Sequence, residues 1–174
     1  SIDADETATP ELAADIRAVM LNPLYDGYLV PRKNFYRGQW VRYSGWWPDP
    51  VLRLFRRGKA AFSDRPVHET VVLDAKPGLL NGCLEHHSFG CVADFIRKVD
   101  SYSSLGANVL AEQGRRPTDL SALVKSMATF VKTLVLKRGF LDGYAGVLIS
   151  FSNAAGVFYR YMKCAELQHY GRDK

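Results

Sequence analysis

The stretch Ser1-Ile2-Asp3-Ala4-Asp5-Glu6-Thr7-Ala8-Thr9-Pro10-Glu11 decides how the rest of the chain is read. Ile2 ahead of the carboxylates Asp3, Asp5 and Glu6 reads as the end of a buried strand. Thr9-Pro10-Glu11 reads as a helix start, with a hydroxyl at the cap, proline at the first helical position and an acid in the first turn. Leu12, Ile16, Val19 and Met20 recur at helical spacing and predict a helix over 10–21, stopped at Asn22-Pro23. A strand that passes into a helix through a run of acids marks the place where open α/β sheets bind ligands. With no initiator methionine, the strand end is expected to continue upstream in a longer protein.

Outward from this start, the texture changes twice. From Gly27 to Leu84, runs rich in Tyr, Val, Trp and Phe alternate with Gly, Pro and Asp, predicting strands over 28–36, 39–43, 51–56 and 69–75. After Cys91 the period becomes helical. Phe95, Ile96, Val99, Tyr102 and Val109 share one face, with Gly114 as the stop. A second helix is expected over 118–137, with Leu120, Leu123, Val124, Met127, Val131 and Leu134 as its apolar stripe. The stretch 139–158 carries one charge, Asp142, and is interrupted by Gly143, Gly146 and Gly156; it lacks the roughly 20 continuous apolar residues of a spanning helix and reads as a buried or membrane-interface helix. The expected division is a strand-rich part over 1–90 and a helical part over 91–174, an α/β protein with a mixed sheet followed by C-terminal helices.

Composition bounds the function classes. The chain has 174 residues, 47% of them hydrophobic and 24% charged, enough for a packed core without disulfide staples. With 12% aromatics and a net charge of +5, disordered and collagen-like classes are excluded. Cys83, Cys91 and Cys164 are odd in number and form no C-x-x-C pair, which argues against a disulfide framework or zinc finger and points to a reducing compartment. The charge is uneven. Residues 1–20 hold five acids and one base, whereas 32–66 hold nine bases against Asp49 and Asp64. The basic segment points to an anionic partner, the alternative being a solvated strand face.

Four constellations could carry chemistry. Asp3, Asp5 and Glu6 bring hard oxygens to one point, suited to Mg²⁺ or Mn²⁺ with positions left for a substrate diphosphate, or else form a solvated acidic turn. Val67-His68-Glu69 opens an apolar strand, and a carboxylate there serves as general base if burial raises its pKa; an ordinary loop carboxylate is the alternative. Gly45-Trp46-Trp47-Pro48-Asp49, between Tyr36-Arg37-Gly38-Gln39-Trp40 and Arg53-Leu54-Phe55-Arg56-Arg57, can stack on a sugar or grip phosphate, or pack as core. The same interleaving marks single-strand nucleic-acid binders, but no RNP signature accompanies it and no G-x-x-G lies within this segment, and no nucleic acid is expected. Adjacent His86 and His87 on a strand point to opposite faces, so at most one can reach a given metal.

Taken in order, I-D-A-D-E, Y-R-G-Q-W-V-R-Y-S-G-W-W-P-D, L-R-L-F-R-R-G, V-H-E, L-E-H-H-S-F, K-V-D-S-Y-S and K-R-G-F-L-D-G resemble the family 2 glycosyltransferases, nearest to the bacterial lipopolysaccharide-core β-glucosyltransferases. The resemblance runs from about Ile2 to Leu167. It implies the C-terminal portion of a GT-A fold, a UDP-sugar donor, with glucose as its sugar, and inverting transfer to a hydroxyl of a lipopolysaccharide-core or similar glycan or glycolipid. Asp3 and Asp5 match the metal-binding D-x-D, Glu69 the catalytic base, and His86 a histidine near the metal and diphosphate, with Mg²⁺ or Mn²⁺ as cofactor. Arg37, Trp46, Trp47, Asp49 and Arg53 fall where the acceptor is expected. The implied location is the cytoplasmic face of the inner membrane, by peripheral association, with an oligomer compatible. Members carry the uridine-binding βαβ units ahead of the D-x-D at which this chain begins. The chain is therefore expected to be a C-terminal piece or to be completed by another chain. A non-catalytic binding or assembly module is the alternative.

Overall fold

A computed structural model describes residues 2–62 and 71–170. The strand-rich part starts with β1 (Glu6–Ala8) and α1 (Pro10–Leu21), followed by β2 (Gly27–Tyr36), β3 (Gln39–Trp40), β4 (Pro50–Phe55), β5 (Ala60–Phe62), β6 (Val71–Leu73), β7 (Gly78–Leu79) and β8 (Leu84–Phe89). The helical part holds α2 (Val92–Glu112), α3 (Asp119–Val131) and α4 (Tyr144–Tyr170). The class is α/β, a mixed sheet followed by C-terminal helices, as expected.

Thr9 caps α1 as read from the sequence, its hydroxyl accepting the Leu12 N–H at 3.3 Å. The ten-residue β2 organises the sheet. Strand order is β1-β8-β2-β3, with β4 antiparallel and β7 parallel to β2. One end of β2 pairs with β4 (Val30 opposite Val51) and the other with β3 (Phe35 opposite Trp40). A separate ribbon joins β5 to β6, Phe62 opposite Val71. Leu12, Tyr28, Val30, Leu80 and Leu84 form the buried core beneath α1, each worth about 2 kcal/mol of burial. A β-carbon at Gly82 would run into the backbone of Leu12. That close approach lets Asp15 accept the Asn81 and Gly82 N–H groups, both at 2.9 Å.

Two compact units emerge, Ser1–Arg42 with Trp46–Ser88, and Tyr43–Gly45 with Phe89–Lys174. In the second, α2 and α3 both pack on α4. The helix expected over 118–137 is α-helical to Val131, then widens into a π-turn over Lys132–Leu136. Arg138 follows in the left-handed region at φ 54°, and a 3₁₀ turn over Gly139–Asp142 leads into α4. This turn is tightly knit. Asp142 is buried and accepts the Tyr43 N–H at 2.9 Å, while Ser44 N–H donates to the Lys137 carbonyl at 3.0 Å. A β-carbon at Gly139 would lie 2.7 Å from Ser44 Oγ and 2.8 Å from the Thr133 carbonyl.

The helical faces differ from the sequence reading. Of the α2 face only Phe95 is buried, in line with Ser103 and Ala107, while Ile96 is 64% exposed. The α3 stripe points outward, with Leu120 at 70% and Met127 at 57%, and Ala122 is the buried residue. The cause is close helix packing. Ser126 Oγ donates to the Ala154 carbonyl of α4 at 2.8 Å, and a β-carbon at Gly106 would crowd Arg160 at 2.6 Å, so beyond Phe95 the contact lines are filled by small residues. The strand expected over 39–43 is cut to Gln39–Trp40 because Tyr43–Gly45 belongs to the second unit. Of the strand expected over 69–75, Val71–Leu73 is seen, and 69–70 lie outside the described residues.

Candidate functional site

The antiparallel pairing of β1 with β8 sets Glu6 opposite His86. Just before β1 the chain turns, Glu6 N–H donating to the Asp3 carbonyl at 3.1 Å and His87 N–H to the Asp5 carbonyl at 3.0 Å. These backbone bonds fix Asp5 beside the strand that carries His86. Its carboxylate lies 3.2 Å from His86 Nε2 and stays half exposed. His87, on the opposite face, stacks on Phe35 with ring centroids 4.6 Å apart, as the alternation of a strand requires.

The other ring nitrogen decides the chemistry. His86 Nδ1 lies 2.6 Å from Asn34 Oδ1. The Asn34 amide nitrogen donates to Asp49 Oδ2 at 3.0 Å and to the Trp46 carbonyl at 3.2 Å, which assigns Oδ1 as the acceptor. His86 therefore donates through Nδ1–H. In the neutral ring the Nε2 lone pair then faces the Asp5 carboxylate, and two acceptors at this distance need a proton or a cation between them.

Beside this pair lies a second set of charges. The Glu6 side chain is buried; its Oε1 accepts from Arg53 at 2.7 Å and from Arg32 at 3.2 Å, and its Oε2 accepts the Asp3 N–H at 3.1 Å. Burial alone pushes the Glu6 pKa up, but the Arg53 hydrogen bond, the Asp3 N–H and Arg32 outweigh it and hold the carboxyl below its ordinary value of 4.5. Arg53 also pairs with Asp3, and Arg32 with Asp49 Oδ2 at 2.7 Å. The two carboxylates raise the Arg53 pKa against the opposing effect of burial.

Asp3, Asp5, Asp49, Arg53 and His86 thus come together in one network, with Asp3 engaged by Arg53 and Asp5 by His86. Arg37 sits on the exposed turn between β2 and β3 at φ 50°. Trp46 and Trp47 are half-buried, and Trp47 meets Trp40 edge-on at 5.4 Å. Glu69 lies outside the described residues. Glu6, read from the sequence as a third metal-facing oxygen, is instead engaged by Arg53 and Arg32. Sequence reasoning missed Arg32 and Asn34, although they alternate on the same face of β2 as Tyr28 and Val30.

The donor set suits a hard divalent ion. Carboxylate oxygen with imidazole nitrogen is a Mn²⁺-compatible pair, and such ions are commonly held by one or two protein groups, with water and substrate phosphate completing the shell. The Nδ1–H bond to Asn34 is the outer support that a ligating histidine needs. Among the described residues no group of three His, Cys, Asp or Glu side chains is placed to hold a metal ion.

The chain is similar to proteins called uncharacterized glycosyltransferases in Rickettsia typhi and Rickettsia prowazekii, at 27% identity over 179 residues. A Rickettsia bellii protein of the same name is 26% identical over 184 residues. Each match takes in 96% of this chain and 61% of the relative. The chain thus spans about three fifths of the length of these relatives. No family model matches it, and no solved structure does.

Proposed function

We propose that this chain is the metal-diphosphate and acceptor part of an inverting, family 2-like glycosyltransferase of GT-A type, using a UDP-sugar, with UDP-glucose as the first candidate, on a lipopolysaccharide-core or similar glycan. The observation that carries the reading is the Asp5–His86 pair, 3.2 Å apart, with the imidazole oriented by Asn34. The mixed α/β fold and the glycosyltransferase relatives support it.

In this reading Asp5 and His86 hold Mg²⁺ or Mn²⁺, and Asp3 adds negative charge from its place against Arg53. The ion, when bound, neutralises charge that builds on the departing diphosphate. The chain's own residues do the rest. Asn34 keeps the His86 lone pair turned to Asp5. The Glu6–Arg53–Arg32 cluster keeps the turn that carries Asp3 and Asp5 in place. Glu69 takes the proton of the acceptor hydroxyl as the sugar carbon is attacked from the face opposite the leaving group. Trp46 and Trp47 offer faces for the acceptor ring, and Arg37 a cation for its phosphates. Segments outside this chain supply the uridine pocket, and the reaction takes place at the cytoplasmic face of the inner membrane.

The test is sugar transfer from UDP-glucose to purified lipopolysaccharide core, with the chain expressed together with its upstream segment. Glu69→Gln is expected to lower turnover on the order of a hundredfold with an unchanged melting temperature. Turnover near wild type in that variant would remove Glu69 as the base. Absence of any transfer from nucleotide sugars would favour the binding-module alternative.

A further inference from the structure

Between α3 and α4 runs an open groove of about 290 Å³, near the lower end of the range in which small ligands are held. Helical spacing brings its lining together. Lys125, Thr129 and Lys132 follow one another by four and three residues along α3 and into the turn after it. From α4, Val157 and Tyr161 stand four residues apart with Arg160 beside them. All of these positions belong to the helical unit.

Three cations meet in this groove. Lys125 Nζ donates to the Tyr161 hydroxyl at 2.8 Å and lies 4.6 Å from the centre of that ring, and the Arg160 guanidinium carbon lies 5.6 Å from the same centre. Gly106 of α2 makes room for the arginine, since a β-carbon there would fall 2.6 Å from Arg160 Cδ. Arg160 Nε is buried and has no hydrogen-bond partner among the described residues, and a buried donor left unpaired is costly. Among the described residues none of the three bases pairs with a carboxylate, and no Asp or Glu lines the groove. On the same helices, Asp119 and Glu166 each stand six residues from a lining base, about a third of a turn away around the axis. Asp100 of α2 is taken by Lys163 at 2.6 Å. Like charges gathered without a counter-charge repel one another; an anion completes the arrangement.

We propose that this groove binds a small sugar phosphate, its phosphate held by Lys125, Lys132 and Arg160. A phosphate monoester carries about −1.5 to −2 charges near neutral pH and three acceptor oxygens, which answers three cations; a carboxylate brings one charge and two oxygens. Arg160 supplies a planar fork of donors and the lysines supply point charges. The remaining lining suits a sugar body. The Thr129 hydroxyl donates to the Lys125 carbonyl at 2.8 Å and keeps its oxygen as an acceptor, while the Tyr161 hydroxyl, accepting from Lys125, keeps a proton to donate. Ala128 and Val157 present small apolar surfaces for the C–H face of the ring. The groove lies wholly in the helical unit, so its failure would leave the Asp5–His86 reading standing.

The test is isothermal titration calorimetry of the 174-residue chain at neutral pH, with EDTA present to keep divalent ions from Asp5 and His86. Glucose 6-phosphate is expected to bind one to one with a Kd below about 1 mM. Glucose 6-sulfate, with less charge on the same body, is expected to bind about tenfold more weakly, and glucose not at all. Lys125→Gln with Lys132→Gln alters exposed side chains and is expected to weaken binding by about tenfold or more, with the circular dichroism spectrum unchanged. Arg160→Lys keeps the charge and a stem over Gly106 but loses the fork, and is expected to cost about threefold to tenfold. Asp5→Asn is expected to bind as the wild type does. No saturable binding of glucose 6-phosphate, equal affinity for the sulfate ester, or full affinity in Lys125→Gln/Lys132→Gln would overturn the proposal. Inorganic phosphate bound as tightly as the sugar phosphate would overturn it as well, because the ligand would then be the bare ion. So would loss of binding in Asp5→Asn, which would move the ligand to the other site.

Discussion

Glu6 is the residue on which the local electrostatics turn. Its buried carboxylate is compensated by Arg53, Arg32 and the Asp3 N–H, and removing one member of such a set leaves buried charge unmatched. Glu6→Gln is expected to lower the unfolding free energy by about 3 kcal/mol, read from urea denaturation. The same carboxyl gives a pH signature. Its pKa in the folded protein lies below 4.5, so the unfolded chain takes up the proton first as acid is added. The stabilisation is complete above pH 4.5 and falls away as pH drops through the folded value; Glu6→Gln is expected to flatten that acid limb. Asn34 acts through His86. Asn34→Leu removes the acceptor for Nδ1–H and is expected to weaken Mn²⁺ binding by about ten- to a hundredfold in an electron paramagnetic resonance titration, while a structural role alone would leave that titration unmoved.

At the scale of elements, local signals were legible where they depend on near neighbours. The Thr9 cap and the stop at Asn22 bound α1 over the residues expected from spacing, and the opposite orientation of His86 and His87 followed from strand alternation. What could not be read was which side of a helix meets its partner. In α2 and α3 the buried lines hold Ser103, Ala107 and Ala122, because helix axes that approach closely exclude large side chains; hydrophobicity alone selects the other face. Nor did spacing reveal Asn34 as the support of His86, since that contact joins residues 52 positions apart. Packing makes an opposite pair of predictions. Gly139→Ala places a methyl group against Ser44 Oγ and the Thr133 carbonyl and is expected to cost about 1–3 kcal/mol in thermal or urea unfolding. Leu123→Ser, on the exposed stripe, is expected to change stability by no more than about 0.5 kcal/mol.

For the whole molecule, the uneven charge read from the sequence resolves into two uses. Arg32 and Arg53, from the basic middle segment, are taken up internally by Glu6, Asp3 and Asp49. In the helical unit Arg97 pairs with Asp94 and Lys163 with Asp100, while α3 and the turn after it carry Lys125, Lys132, Lys137 and Arg138. The central claim is that the Asp5–His86 pair takes a divalent cation that receives a sugar-nucleotide diphosphate. The direct measurement is a Mn²⁺ titration by electron paramagnetic resonance, with and without UDP-glucose, on the wild-type protein and on Asp5→Asn. The account predicts Mn²⁺ binding that tightens with UDP-glucose in the wild type and weakens at least tenfold in a normally folded Asp5→Asn; equal affinity in the two proteins would contradict it.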